Sequence, residues 1–277
     1  MGQFVQITES TVEVDGIKVH YCRAGQGPAL VMVHGLVGSA HNWDQNIEEF
    51  ARFRTVYALD LVNMGESERV VGLDAGLEAT ADRIARCMDA LQIESADIAG
   101  HSHGGAISMM LAARHPQRVR KLVLFAPANP YCDLGNGLIH FYNTRVGGWL
   151  ARRIPQMPRA VHDLAHRRMY GDKNRVQAGA LDGYTRSLNR ESVEHVLGIV
   201  RRWADDMTLL RNRLVEVAGR PTLIIWGDRD RAVGLASGQH LAKKLGARLM
   251  VIPGVGHLPF AETPQLCNEA IGRWLQV

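Results

Sequence analysis

At 277 residues, 46% of them hydrophobic, the chain can bury roughly three quarters of its unfolded surface in one large core. Its formal charge of +4 is modest, and no basic stripe with interleaved aromatics is present, which argues against nucleic-acid binding. No run of about eighteen apolar residues occurs, so no membrane span is expected.

In chain order, the first residues, Met1 to Gln6, lack the basic-then-apolar layout of a secretory signal. Gln6 also stands where a myristoylation signal needs Ser or Thr. Thr11–Val14 and Ile17–Cys22 read as strands joined by Asp15-Gly16, a hairpin signal. Further strand-like segments follow at Ala29–His34, Thr55–Asp60, Ala96–Gly100, Val119–Ala126, Thr222–Trp226 and Arg248–Ile252. Leu30-Val31-Met32-Val33, Leu122-Val123-Leu124-Phe125 and Leu223-Ile224-Ile225-Trp226 are continuous apolar runs. Strands buried on both faces of a parallel sheet have this composition. Leu77, Ala81, Ile84, Ala85, Met88 and Leu91 fall on one helical face. Gly104 to His115 forms another helix, stopped by Pro116. The alternation predicts an α/β fold with a doubly wound, mostly parallel eight-stranded sheet.

The strand rhythm stops after Ala126. From Asn129 to about Val215 only helical patterns occur, among them Val193, Val196, Leu197, Val200, Trp203 and Met207 at buried-stripe spacing. The expectation is a helical cap over residues 129–215, inserted into a core domain of 1–128 and 216–277. The cap carries 14 Lys+Arg against 8 Asp+Glu, a bias that reads either as a solvated face or as a preference for anionic ligands. Phe141, Tyr142, Trp149, Tyr170, Tyr184 and Trp203 suffice for an apolar pocket roof, although more of them are expected to pack the cap itself. The four cysteines, Cys22, Cys87, Cys132 and Cys267, are scattered without a C-x-x-C pair. They read as reduced thiols of a cytoplasmic protein rather than a disulfide frame or zinc site.

Chemistry concentrates at Gly100-His101-Ser102-His103-Gly104, between the strand from Ala96 and the helix that follows. G-x-S-x-G in that setting is a nucleophile elbow, a tight strand-to-helix turn that exposes a strained serine. A serine hydroxyl needs a positioned base, and the base needs a carboxylate to hold its tautomer. Two later strands end in suitable loops, Gly227-Asp228-Arg229-Asp230 and Pro253-Gly254-Val255-Gly256-His257. The order Ser102, then Asp228 or Asp230, then His257 follows. His101 and His103 flank the serine, but they point apart and no carboxylate or cysteine lies at ligand spacing. No metal is expected there.

These motifs resemble those of α/β-hydrolases over nearly the whole length. The likeness rests on the elbow, His34-Gly35, Asp60 with Gly65-Glu66-Ser67, Trp226-Gly227-Asp228-Arg229-Asp230 and Gly256-His257-Leu258-Pro259. The resemblance implies Asp230 as the triad acid, with Asp228 bonding loop amides instead. It implies an oxyanion hole from the backbone N–H groups of Leu36 and His103, with Val37 as the fallback for the former. His34 would order its loop. The sequence departs from the family pattern at Asp60–Gly65, which replaces a Pro-Gly turn, and at His103, where relatives place Met, Leu or Gln. Leu258 is a third departure, since carbon–carbon bond hydrolases often carry Trp there.

A serine rather than an aspartate nucleophile directs the reading to acyl chemistry. The expected activity is hydrolysis of a small or medium carboxylic ester through an acyl-enzyme, with no cofactor. Carbon–carbon hydrolysis of a dienone acid, lactone opening, perhydrolysis and acyl transfer are the competing reactions. A ligand-binding receptor with slow turnover is the alternative of a different class. The partner is a small-molecule acyl substrate, and the oligomeric state is left open between monomer and homodimer.

Overall fold

The computed structural model describes residues 5–132, 136–177, 179–185 and 188–276. Eight strands form one sheet: β1 (Thr8–Val14), β2 (Ile17–Ala24), β3 (Ala29–Val33), β4 (Thr55–Leu59), β5 (Ala96–His101), β6 (Val119–Phe125), β7 (Thr222–Gly227) and β8 (Arg248–Ile252). Their order is β1-β2-β4-β3-β5-β6-β7-β8, with β1 and β2 antiparallel to their neighbours and the rest parallel. β1 begins three residues before the expected Thr11, because Thr8-Glu9-Ser10 is exposed edge strand without an apolar signature. The remaining strand boundaries agree with expectation to within one or two residues.

The helices are α1 (Asp44–Phe50), α2 (Leu77–Ala90), α3 (His103–Arg114), α4 (Asn136–Tyr142), α5 (Arg145–Ala151), α6 (Arg159–Arg167), α7 (Asp182–Thr185), α8 (Arg190–Val217), α9 (Leu235–Leu245), α10 (Pro259–Glu262) and α11 (Pro264–Gln276). They cover both faces of the sheet, and strand side chains alternate between two cores. Val31, Val33, Leu122, Leu124, Ile224 and Trp226 pack with α2, α3, α8 and α9. Leu30, Met32, Val123, Phe125, Leu223 and Ile225 pack on the other face with Trp43, Ile47, Phe50, Cys267 and Ile271. The continuous apolar runs in the sequence are the trace of this double burial.

Between β6 and β7 every element among the described residues is helical. The predicted stripe on α8 buries Val193, Leu197, Trp203 and Met207, but Ile199 is buried where Val200 was expected. The helix continues past residue 215 to Val217, and Leu210, Leu214 and Val217 join the core under the sheet. Strand order reverses between β3 and β5, since β4 lies on one side of β3 and β5 on the other. Such a switch point leaves a crevice at the carboxyl ends of the strands. The loop after β3 and the turn after β5 both open there.

Candidate active site

Ser102 joins β5 to α3 with φ 52° and ψ −119°, a conformation that L-residues adopt only when surrounding structure enforces it. Its N–H donates to the Phe125 carbonyl at 3.0 Å, and its carbonyl accepts from Gly105 and Ala128 at 2.9 Å each. A Cβ on Gly104 would stand 2.4 Å from the Val33 and His34 carbonyl oxygens, and one on Gly100 2.3 Å from Ser108 Oγ. The motif glycines are therefore demanded by the close approach of β3 and α3 to the turn.

His257 and Asp230 meet: Nδ1 lies 2.8 Å from Asp230 Oδ2, both side chains being almost wholly buried. Asp230 Oδ1 accepts from the amides of Ala232 and Val233 at 2.8 and 2.9 Å, which fixes the carboxylate. Asp228 is occupied otherwise, its Oδ1 accepting from Gly254 N–H at 2.7 Å. The residue before Ser102 contacts the histidine. His101 Nε2 donates to the His257 carbonyl at 3.0 Å, and the two rings are 4.8 Å apart. Among the described residues no hydrogen bond joins Ser102 Oγ to the imidazole. Such contacts tighten when substrate arrives, and a looser free-state geometry is common. Burial, followed by the neighbouring His257, holds His101 well below the usual histidine range, so it stays neutral and packs.

The loop after β3 is a turn over Gly35–Gly38, closed by Gly38 N–H donating to the Gly35 carbonyl at 3.1 Å. Val37 occupies its third position with φ 60°, a costly left-handed conformation for a β-branched residue. Leu36 lies at the second position and is partly buried against the core. His34 is fully buried; its Nδ1–H donates to the Gly35 carbonyl at 2.7 Å while Nε2 accepts Leu61 N–H at 3.0 Å. Desolvation lowers its pKa, so the neutral ring with its proton on Nδ1 holds two loops in register.

His103 is the first residue of α3, and its N–H has no carbonyl one turn back within the helix. Its ring is buried 6.1 Å from Trp203 of α8, and Nδ1 has no hydrogen-bond partner among the described residues. Desolvation, with His195 and His34 nearby, brings its pKa down to about 3. The ring is thus a neutral group between the elbow and the helical segment.

Two carboxylates that local pattern did not single out for these roles organise the surroundings. Glu262 on α10 has a fully buried side chain and accepts from Gly256, Gly171 and Asp172 N–H groups at 2.8, 3.0 and 2.9 Å. His257 N–H donates to the Met169 carbonyl at 2.7 Å, so the histidine loop is sewn to residues 169–172 at two points. Asp60, at the end of β4, accepts from His20 Nδ1–H at 2.8 Å, from Glu66 N–H at 2.7 Å and from Ala40 N–H. Burial pushes the Asp60 pKa up, but the His20 hydrogen bond and the other donors outweigh it and the net shift is downward. Glu262 lacked a signal because its partners lie six and about ninety residues away.

A profile of the alpha/beta hydrolase fold matches residues 28–264. The chain belongs to the α/β-hydrolase fold family. 2-Hydroxymuconate semialdehyde hydrolase from Pseudomonas sp. is 30% identical over 265 residues, 94% of this chain and 91% of that protein. The dihydrolipoyllysine-residue acetyltransferase component of the acetoin cleaving system of Cupriavidus necator is 31% identical over 95% of this chain. The chain spans 68% of that protein and 64% of its Pseudomonas putida counterpart. Among solved structures, the meta-cleavage product hydrolase from Pseudomonas fluorescens superposes with a TM-score of 0.80 at 25% identity, over 96% of this chain and 97% of that one. This α/β-hydrolase has no described helix long and apolar enough to cross a membrane.

Proposed function

We propose that the protein is a serine hydrolase that cleaves a small or medium carboxylic ester, with Ser102 as nucleophile, His257 as base and Asp230 as orienting acid. The observation that supports this reading is the 2.8 Å contact between His257 Nδ1 and the buried Asp230 carboxylate, taken with the strained turn at Ser102, whose neighbour His101 donates to the His257 carbonyl. His257 Nε2 takes the Ser102 proton as Oγ attacks the substrate carbonyl carbon, and the carbonyl oxygen becomes an oxyanion. The N–H groups of Leu36 and His103 receive that charge, aided by the amino terminus of α3. His257 then gives the proton to the departing alkoxide. A water, deprotonated by the same ring, attacks the acyl-enzyme and releases the acid while Ser102 regains its proton. Asp230 stays ionised and stabilises the imidazolium.

Residues 129–215 serve in this reading as a cap. Trp203 against His103, and Met169–Asp172 against the His257 loop, support that role by bounding the crevice from the helical side. The second reading is carbon–carbon bond hydrolysis of a dienone acid, favoured by the names of the Pseudomonas relatives. Leu258 weighs against it. The discriminating experiment is a panel of acyl esters of increasing length, lactones and a dienone acid, with Ser102→Ala as control. Turnover of a vinylogous diketone far above that of p-nitrophenyl esters would replace the ester reading by the second one. Saturable binding without repeated turnover would replace both by a receptor.

A further inference from the structure

Next to Asp60, through His20, lies a cluster of metal-ligating side chains that the hydrolytic reading does not use. Glu9 on β1 and Cys22 on β2 are directly opposed partners in the antiparallel ladder, so their side chains share one face. His20, two residues earlier on β2, projects from that same face. His41 comes in from the 3-10 turn Ala40–Trp43 that follows the Gly35–Gly38 loop. Ligand atoms of Glu9, Cys22 and His41 all lie within 4.8 Å of one another. Glu9 Oε2 is 3.7 Å from His20 Nε2, and Glu9 Oε1 is 3.9 Å from His41 Nε2.

We propose that Glu9, Cys22 and His41 form a three-residue site for a divalent transition metal of the zinc class, with His20 beside Glu9. Tetrahedral zinc bonds of about 2.0–2.3 Å place donor atoms roughly 3.3–3.8 Å apart, so the three ligand atoms need to close by at most about 1.5 Å. The outer contacts are those of a metal site. His20 turns Nε2 toward Glu9 while Nδ1 is held at 2.8 Å by buried Asp60. His41 likewise turns Nε2 toward Glu9 while Nδ1 faces the Asp44 carboxylate at 3.4 Å. An imidazole backed in this way by a carboxylate, as His41 is by Asp44, has the outer contact that orients histidine on zinc.

Charge agrees as well. A thiolate, a carboxylate and a neutral imidazole cancel a divalent cation. Metal binding forms the metal–sulfur bond and releases the thiol proton to water. The consequence is mechanical: the metal ties the β1–β2 hairpin to the turn beyond the Gly35–Gly38 loop, through residues already linked by Asp60 to Ala40. Ligands at positions 9, 22 and 41 have no recognisable spacing, which hides the site from motif reading.

The proposal does not depend on the hydrolytic reading, and its test measures metal directly. Chelator-treated full-length protein is titrated with cobalt(II), which is then displaced by zinc(II). A thiolate-to-cobalt charge-transfer band with intense visible ligand-field bands, saturating at one equivalent, is expected. Cys22→Ser removes the charge-transfer band, and Cys132→Ser leaves it unchanged. Exposed Glu9→Gln, whose fold is checked by circular dichroism, lowers cobalt affinity at least tenfold, and the outer variant Asp44→Asn does so by ~10- to 100-fold. Zinc raises the unfolding temperature of the wild type and not of Glu9→Gln. Absence of saturable uptake, or a thiolate band that survives Cys22→Ser, overturns the proposal. So does unchanged cobalt affinity in folded Glu9→Gln.

Discussion

Glu262→Ala is the perturbation that separates support of the site from its chemistry. The wild-type carboxylate touches no proposed reacting atom, yet it gathers three backbone donors from two segments. The bond to Gly256 is buried, and losing its acceptor costs ~1–3 kcal/mol of unsatisfied N–H. The Gly171 and Asp172 donors are partly exposed and can rehydrate, so each loses only the net worth of a hydrogen bond, about 0.5–1.5 kcal/mol. The sum is ~2–6 kcal/mol, which at roughly 2–4 °C per kcal/mol for a domain of this size is a large fall in melting temperature. Turnover should drop too, because His257 follows the released Gly256. The assay is thermal unfolding beside ester hydrolysis at a temperature where the variant is folded. Glu262→Gln, which keeps one acceptor oxygen, should fall between wild type and Ala. Stability of Glu262→Ala within ~0.5 kcal/mol of wild type, the range of a neutral surface change, would refute the reasoning.

Asp230→Asn should lower kcat by orders of magnitude, of order 10⁴ in the protease analogue, by favouring the wrong His257 tautomer; kinetics near wild type would move the acid role elsewhere. Asp60→Asn should destabilise by ~2–4 kcal/mol, because an amide cannot accept from His20, Glu66 and Ala40 together; chemical denaturation measures it. Stability should fall as pH drops below 6.5. The unfolded chain then binds protons that buried His103 refuses until about pH 3 and His166 and His195 until about pH 4. Each such histidine contributes up to ~1.4 kcal/mol per pH unit in that window, so His103→Leu should flatten the slope by about one proton. An unchanged slope would show that His103 is not held neutral.

Much of the fold was legible because double burial writes itself into the chain. Leu30–Val33 and Leu223–Trp226 are unbroken apolar runs because successive side chains enter opposite cores. The elbow was legible because its glycines answer a local steric demand. Asp230 and Asp228 were separable only through resemblance, since both are turn aspartates; in the structure one bonds His257 and the other Gly254. Contacts between distant residues had no local signal. Glu262 with Gly171, Asp60 with His20 and His103 with Trp203 exist only after the chain has closed on itself. Val37 at φ 60° is another case, because strain at a turn is imposed by its surroundings and contradicts the residue's own preference.

The most direct test of the central claim is covalent. Protein treated with a fluorophosphonate probe should carry one adduct, on Ser102, and labelling should collapse in His257→Ala as well as in Ser102→Ala. Stoichiometric modification of a different serine, or undiminished labelling of Ser102 without the imidazole, would contradict the account.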